Sequence, residues 1–407
     1  MLWLNFLHFY QPANTEPYNI HKALDKSYWR LLRLLEDHPT IKMTFNVSGC
    51  LLERLVEEKQ LSFIERLGVL IKRGQVELTA SAAYHGFLPL LPEEEIIRQI
   101  KINERILKKY FGKNFKPSGF FLPEMAYSPD VARIIKRLGY EWLILDEMAY
   151  GGAEKKRPDF SRVYNDAASG LKIIFRNREL SLAYPPDKLL PIFKTSSKTS
   201  EQKTKGEPTA DTAIFTTATD AELYGLRHED PTGEMEKIVK IKNLKTLTLS
   251  RFIKSASQRK ILPVALYPSS WESTAQEIKN NQPYSLWFNK KNEIQVYLWK
   301  LAYLSLNLGA RFKKDKNYYW HRWHLVRGLA SCTFWWASAR DFKPVFGPYA
   351  WSPDDIERGL EDLVRSVRSF NDVKTKKAKL TAESYYLKIK KMIWTEHWHK
   401  HWQKKYE

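Results

Sequence analysis

The fold of this chain is decided by two stretches, Gly119-Phe120-Phe121-Leu122-Pro123-Glu124 and Phe215-Thr216-Thr217-Ala218-Thr219-Asp220. Each is a short apolar or β-branched run of the kind that forms a buried strand, and each ends in an acidic residue. Barrels of alternating strands and helices carry their functional residues at the carboxyl ends of the strands. The sequence therefore predicts that Glu124 and Asp220 emerge at the same face of such a barrel.

Residues 1–275 alternate between short apolar runs and longer amphipathic ones. The predicted strands are Leu2–Leu7, Lys42–Val47, Val76–Thr79, Gly119–Leu122, Trp142–Leu145, Lys172–Phe175, Ala213–Thr217 and Ile261–Tyr267. The predicted helices between them include Ser27–Glu36, Ser62–Arg73, Pro92–Tyr110 and Pro129–Leu138. This alternation indicates parallel strands joined by crossover helices. Seven or eight strands in series favour a closed or nearly closed barrel over an open sheet, although the sixth run can also be one arm of a hairpin.

From about residue 290 the periodicity becomes helical. The longest candidate helices are Ile294–Leu308, Trp320–Trp336, Pro353–Phe370 and Thr381–Trp402. We therefore expect a catalytic barrel over residues 1–275 and a mainly helical carboxyl-terminal domain over 276–407 that completes the cleft. Residues 194–211 are polar and aperiodic, which predicts a long exposed loop just before the Asp220 strand. Such a loop is either a lid or an idle connection.

Composition narrows the class of protein. The 407 residues carry a formal net charge of +20, but no compact nucleic-acid motif accompanies the charge, so we expect no specific nucleic-acid partner. No apolar run reaches the roughly 18 residues of a membrane span, and the amino terminus lacks the order of a signal peptide. Cys50 and Cys332 stand far apart in unlike contexts, which favours a reducing compartment and predicts a cytoplasmic protein. The oligomeric state is left open.

Two acids are the minimum equipment for cleaving a glycosidic bond. One carboxylate attacks or stabilises the anomeric carbon, while the other, held protonated, delivers a proton to the departing oxygen. Taken singly, Glu124 is equally well explained as an acidic helix cap before Pro129, and Asp220 with Glu222 as an acid pair entering a loop. If the strand has ended at Asp220, Glu222 can bind substrate or orient a neighbour.

Other polar and aromatic side chains follow predicted strands. His8 ends the first strand, with Tyr10 and Gln11 beside it as groups that can recognise hydroxyls, and His85 follows the third strand. Trp271, in a turn-like context, is the best candidate to stack on a sugar ring. Most of the later tryptophans, among them Trp287, Trp320, Trp323, Trp335, Trp336 and Trp351, are assigned to the core.

No cofactor or dedicated metal site is predicted. His397, His399 and His401 alternate along a predicted helix, and alternate positions of a helix do not share a face, so this cluster indicates adventitious metal binding at most. A glycine-rich phosphate loop and a Cys-His nucleophile arrangement are both absent from the sequence.

Four segments in order resemble the motifs of glycoside hydrolase family 57, which comprises α-amylases, 4-α-glucanotransferases and amylopullulanases. The resembling segments are His8-Phe9-Tyr10-Gln11-Pro12, Gly74-Gln75-Val76-Glu77-Leu78-Thr79, Phe121-Leu122-Pro123-Glu124 and Asp220-Ala221-Glu222-Leu223-Tyr224-Gly225. The resemblance implies an incomplete (β/α)7 barrel followed by helices. It also implies that Glu124 is the nucleophile and Asp220 the general acid/base. His8, Gln11, Glu77 and His85 would then be sugar contacts.

The resemblance has one departure, because Tyr10 stands where the family's first motif, His-x-His-Gln-Pro, has its second histidine. A tyrosine can hydrogen-bond a sugar but cannot supply an imidazolium. The expected function is a retaining hydrolase or glucanotransferase acting on α-1,4-glucans, with carboxyl groups about 5–5.5 Å apart. The alternatives are an α-galactosidase or other α-glycosidase, a carbohydrate-binding relative without turnover, and a metal-assisted deacetylase on a related barrel.

Overall fold

The computed structural model describes residues 1–154, 156–201, 213–256, 261–339 and 351–401. Its strands, in chain order, are β1 (Leu2–Phe9), β2 (Met43–Val47), β3 (Val76–Leu78), β4 (Gly119–Phe120), β5 (Trp142–Asp146), β6 (Tyr164–Asp166), β7 (Lys172–Arg176), β8 (Ile214–Asp220), β9 (Lys245–Thr246) and β10 (Leu262–Val264). The helices are α1 (Pro17–Ala23), α2 (Trp29–Asp37), α3 (Gly49–Glu57), α4 (Leu61–Lys72), α5 (Glu93–Phe111), α6 (Pro129–Arg137), α7 (Met148–Gly151), α8 (Arg178–Leu182), α9 (Pro185–Glu201), α10 (Glu234–Val239), α11 (Leu249–Ala256), α12 (Ala275–Lys279), α13 (Glu293–Arg311), α14 (Tyr318–Gly328), α15 (Ser331–Trp335), α16 (Pro353–Arg368) and α17 (Lys376–Glu396).

Parallel pairing dominates two five-stranded sheets. In the first, β3, β2, β1 and β8 lie in that order, and β9 pairs with the start of β1. In the second, the order is β10, β6, β7, β5 and β4, and only β6 and β7 are antiparallel. Every side chain of β1 is buried, as expected for a parallel strand covered on both faces. β7 is thus both a parallel neighbour of β5 and, as the sequence allowed, one arm of an antiparallel pair.

The two sheets join into an incomplete barrel. On one side, Ala80 just after β3 forms a parallel bridge with Phe120 of β4. On the other side, β7 and β8 form no ladder among the described strands, and the backbone N–H of Asn177 instead donates to the Thr216 carbonyl at 2.9 Å. The ring of seven strands therefore runs β8, β1, β2, β3, β4, β5 and β7, with an imperfect seam between the last and the first. The predicted α/β class and incomplete barrel are confirmed.

The helical region packs over the carboxyl ends of the strands. α14 and α16 approach so closely that a Cβ on Gly328 would lie 2.8 Å from the Leu363 Cγ, so glycine is required there. The single helix predicted over Trp320–Trp336 is wrong, because the chain breaks after Gly328 and Ala330 leaves the helical conformation. Ala330 instead pairs with Gly86 in an antiparallel bridge, and the Ser331 N–H donates to the His85 carbonyl at 2.9 Å.

Several expectations need correction or stay open. The loop predicted over 194–211 begins too early, because α9 continues to Glu201; buried Leu189 and Phe193 anchor its first turns, and polar residues can extend a helix on its solvent side. The remainder of that stretch, 202–211, lies outside the described residues.

Strands β6 and β9 were not predicted. The division into domains at 275/276 stays a prediction. Within the described ranges, no helix combines the length and apolarity needed to cross a membrane.

Candidate active site

A cleft of about 290 Å³ lies at the carboxyl ends of the strands, beneath the helical region. It brings together eight of the nine residues singled out from the sequence: His8, Tyr10, Gln11, His85, Glu124, Asp220, Glu222 and Trp271. Elements far apart in sequence supply them, since β1, β4 and β8 end here and the loop after β10 carries the tryptophan. As the sequence predicted, polar residues at the carboxyl ends of separate strands meet in one cleft.

Glu124 is presented by a strained backbone. Its φ of 61° places a non-glycine residue in the left-handed region, and the next residue, Met125, has a φ of 47°. The turn is held from outside, because the Trp271 N–H donates to the Glu124 carbonyl at 3.0 Å. The indole of the same tryptophan donates through Nε1 to Glu124 Oε2 at 2.8 Å, and the Ser331 hydroxyl donates to Oε1 at 2.6 Å. Both carboxyl oxygens therefore have a fixed donor.

Burial raises the pKa of Glu124 to about 7. The hydrogen bonds from Ser331 and Trp271 act in the opposite direction, because donors stabilise the ionised form, while the negative charge of Asp220 raises the pKa further. The side chain is only 11% exposed, so loss of hydration dominates. Glu124 thus gains or loses its proton near neutral pH, which is where a catalytic carboxyl is most responsive.

Asp220 ends β8 in register with His8 of β1. The guanidinium of Arg227 donates from Nη1 to Asp220 Oδ2 at 2.6 Å. Arg227 also lines the cleft and is about one-third exposed, so substrate can reach this ion pair. The paired arginine fixes the rotamer of Asp220 and engages one of its two oxygens.

Glu222 lines the cleft but is almost entirely buried, with 2% of its surface exposed. Its Oε1 accepts hydrogen bonds from Gln11 Nε2 at 2.8 Å and from the Tyr28 hydroxyl. Burial raises the pKa of Glu222; the positive charge of Arg227 lowers it and the negative charge of Asp220 raises it. The carboxyl therefore fixes the orientation of the Gln11 amide, which lines the cleft.

His8, His85 and Tyr10 form an aromatic stack along one wall. The ring centroids of His8 and His85 are 4.8 Å apart, and Tyr10 lies 4.1 Å from His85 on a nearly parallel plane. Burial lowers the pKa of His8 to about 4 and that of His85 well below its usual value, so both rings are neutral near pH 7. Tyr10 therefore continues the stack where the family motif has a second histidine, with its hydroxyl beside the Cys332 thiol.

The hydrogen bonds of the two imidazoles assign their tautomers. His8 Nδ1 lies 2.8 Å from Asn46 Oδ1, and His85 Nδ1 lies 2.8 Å from Ser331 Oγ, whose proton is directed to Glu124. Both Nδ1 atoms are therefore donors, and each Nε2 is an acceptor. Neither Nε2 has a partner among the described residues. Both side chains line the cleft, so each carries a buried acceptor close to it.

Trp271 is held in place by Arg176. The guanidinium lies 5.3 Å from the indole and donates to the Trp271 carbonyl at 3.3 Å and to the Ala218 carbonyl of β8 at 2.9 Å. Its Nε donates to the buried carboxylate of Asp146 at 2.7 Å. Arg176 thus ties the partner of Glu124 to the strand that carries Asp220, across the imperfect seam of the barrel.

One predicted site residue lies elsewhere. Glu77 does not line the cleft, because its Oε2 accepts from the Thr44 hydroxyl at 3.2 Å and from the Ser250 N–H at 3.1 Å. Since Ser250 lies in the first turn of α11, the carboxylate satisfies a helix N-terminus and does not face the cleft. The expectation that Glu77 contacts substrate does not fit this placement.

The structure also shows cleft residues that sequence reasoning missed. Ser331 and Arg227 contact the two carboxylates, and Trp335 and Trp336, assigned to the core from sequence, line the cleft. Only the position of Arg227, shortly after the Asp220 motif, offered a local signal. Among the described side chains, no group of three or more His, Cys, Asp or Glu is arranged to hold a metal ion.

Glu124 and Asp220 follow two strands and line one cleft, and glycoside hydrolases act through a pair of carboxyl groups. The sequence profile of glycosyl hydrolase family 57 matches residues 4–265. The chain belongs to this family.

Relatives within the family carry several activities in their names. The chain is 30% identical over 174 residues to an alpha-amylase of Pyrococcus horikoshii, covering 42% of this chain and 27% of the relative. It is 25% identical over 295 residues to a 4-alpha-glucanotransferase of Thermococcus litoralis, covering 68% of this chain and 43% of the relative. The chain therefore spans less than half the length of these curated relatives.

Solved structures share the fold. The crystal structure of a family 57 branching enzyme from Thermococcus kodakaraensis, in complex with glucose and additives, superposes with a TM-score of 0.65 at 18% identity. That match covers 95% of each chain. The two chains therefore share one fold over nearly their whole length.

Proposed function

We propose that this protein acts on α-1,4-glucans by a retaining, double-displacement mechanism. The observation that supports this most is that Glu124 and Asp220 line one cleft together with the neutral histidines His8 and His85. Family membership adds to it, because relatives bear the names alpha-amylase and 4-alpha-glucanotransferase. The α-galactosidase and non-catalytic alternatives have no comparable observation in their favour.

In the first step, a carboxylate oxygen of Glu124 bonds to the anomeric carbon while the glycosidic oxygen leaves. Asp220 gives its proton to that oxygen. Arg227 engages Asp220 Oδ2, so the proton is carried on Oδ1. In the second step, Asp220 takes a proton from water or a sugar hydroxyl, whose oxygen bonds to the anomeric carbon and releases Glu124. A separation of about 5–5.5 Å between the two carboxyl groups remains a prediction of this mechanism.

The test is product analysis with maltooligosaccharides. We expect wild-type protein to convert them, with the α-anomer formed first as followed by NMR, and Glu124→Gln and Asp220→Asn to be inactive at the same protein concentration. Glu65→Gln, which alters an exposed carboxylate on α4, is the matched control and should behave as wild type. Initial formation of the β-anomer, or full activity in Glu124→Gln, would contradict the mechanism.

The acceptor in the second step distinguishes a hydrolase from a transferase. A transferase lengthens some chains while shortening others, whereas a hydrolase only shortens them. The same reaction mixtures, separated by chain length, give this answer. A panel of nitrophenyl glycosides tests the α-galactosidase alternative, and binding without turnover would support the carbohydrate-binding one.

A cytoplasmic location is part of the proposal. Both cysteines are free thiols, and Cys50 is buried, which suits a compartment that keeps thiols reduced. Fractionation of cells that express the protein tests this location.

A further inference from the structure

A second groove, of about 420 Å³, lies next to the catalytic cleft. Its walls are formed by the segment after β1, by α3, and by the facing sides of α14 and α16, with Trp323 among the lining side chains. None of the residues singled out from the sequence as site residues lies in it, and the mechanism above does not use it.

The cleft and the groove share two walls. In the segment after β1, Thr15 lines the cleft while Asn14 and Glu16 line the groove. On α16, Asp355 lines the cleft, and Arg358, one turn further along, lines the groove. The Arg358 guanidinium spans the boundary, since it donates to Asp355 Oδ1 at 2.5 Å and to Glu16 Oε1 at 3.1 Å. The cleft and the groove are therefore adjacent and are separated by this ion pair.

The groove is lined by many charges, but they compensate one another. Four arginines and four carboxylates line it: Arg54, Arg327, Arg358, Arg365, Glu16, Glu57, Glu361 and Asp362. Three of the arginines pair with lining carboxylates at 2.7–3.1 Å, and the fourth, Arg327, lies over the Trp323 ring. Asp362 accepts from Asn14 at 3.1 Å and lies 2.9 Å from His324 Nδ1. A lining of balanced charge favours a neutral ligand with many hydroxyls over a polyanion such as nucleic acid.

Trp323 adds the apolar surface that a sugar ring needs. Its indole lines the groove, and the Arg327 guanidinium lies 3.6 Å from the ring centroid and so supports it from one side. The Trp323 indole therefore offers a face on which a sugar ring can stack. The planar guanidinium and carboxylate groups around it can each bond two neighbouring hydroxyls of the sugar.

The catalytic cleft is too small to enclose a long glucan chain. Pockets that enclose a single small ligand have volumes of about 300–1,000 Å³, and the catalytic cleft is at the lower limit of that range. A polymeric glucan whose reacting bond lies at Glu124 must therefore continue across the protein surface. We propose that the groove around Trp323 is a distal subsite that binds a remote segment of the same glucan chain. This inference rests on the proposed function and identifies where the substrate extends.

The test compares a short and a long substrate. For wild-type protein, kcat/KM is measured with maltotriose and with maltoheptaose. Trp323→Ala should lower the ratio of the long to the short value by roughly tenfold, which corresponds to a stacking contribution of about 1.4 kcal/mol. Trp398→Ala is the matched control, because it removes a tryptophan that is 53% exposed and lies outside the groove. It should leave the ratio unchanged.

A second variant separates binding from folding. Arg365 lines the groove with a side chain that is 55% exposed, so Arg365→Ala leaves the core intact and should lower the ratio in the same direction by a smaller factor. If neither Trp323→Ala nor Arg365→Ala changes the ratio while wild type turns over both substrates, the distal subsite is wrong and the proposed function stands. If wild type turns over neither substrate, the proposed function fails and the subsite with it.

Discussion

The replacement of Glu124 by glutamine should remove a pH dependence of stability that this carboxyl imposes on the fold. Burial raises the pKa of Glu124 from 4.5 to about 7. Each pH unit of such a displacement is worth about 1.4 kcal/mol, so holding the ionised carboxylate in the cleft costs the folded state about 3 kcal/mol relative to the protonated form.

The direction in which the free energy of unfolding changes with pH follows from the number of protons bound by the folded and unfolded states. Between about pH 4.5 and pH 7 the folded protein keeps a proton on Glu124 that the unfolded chain has released. The free energy of unfolding of the wild type therefore falls as the pH rises through this window, and the loss is complete at about pH 8. Glutamine does not titrate, so the variant lacks this component.

The assay is equilibrium urea unfolding of both proteins at about pH 4 and about pH 8. The free energy of unfolding of Glu124→Gln minus that of the wild type is measured at each pH. This difference should be about 3 kcal/mol larger at about pH 8 than at about pH 4. Comparing the two pH values cancels the constant cost of an amide against the Ser331 and Trp271 donors, and it cancels the titration of Glu222 and His8. Glu65→Gln, at an exposed site, should follow the wild type. Parallel pH profiles of wild type and Glu124→Gln would refute the argument.

Three further predictions concern the hydrogen-bond partners of the Glu124 carboxyl and Glu77, which lies outside the cleft. Ser331→Ala removes a donor that lowers the pKa of Glu124, so the acidic limb of the kcat/KM profile should move to higher pH. Trp271→Phe should move it in the same direction and also lower kcat at its plateau, because the indole N–H that orients Oε2 is lost. Glu77→Gln should leave kcat/KM unchanged but lower the free energy of unfolding by about 1 kcal/mol, since the helix that begins near Ser250 loses a charged acceptor; an unchanged unfolding midpoint would contradict this role.

The strands that the sequence predicted best are the ones buried on both faces. β1, β2 and β5 have no exposed side chain, so their apolar runs are continuous and easy to recognise. Their ends could be found as well, because polar groups appear in the sequence where the apolar runs stop. Glu124 and Asp220 were located in this way without any knowledge of their partners.

The missed elements are short or depend on contacts distant in sequence. β9 has only two residues, Lys245 and Thr246, and it forms because β1 offers an open edge there. The break between α14 and α15 follows no proline; it arises because Ala330 pairs with Gly86 across the cleft. A helical periodicity that continues through such a break cannot reveal it.

The strained backbone of the cleft explains why the sequence could indicate candidate residues for the cleft but not their geometry. His85 and Glu124 both adopt positive φ, at 56° and 61°, which costs each about 1–3 kcal/mol by local preference. Each is fixed by a partner more than a hundred residues away: the Ser331 N–H donates to the His85 carbonyl, and the Trp271 N–H donates to that of Glu124. The same two partners also use their side chains to bond the carboxyl of Glu124. The long-range contacts that stabilise the strained turns therefore also lower the pKa of Glu124 against the effect of burial, and neither effect has a signature in the local sequence.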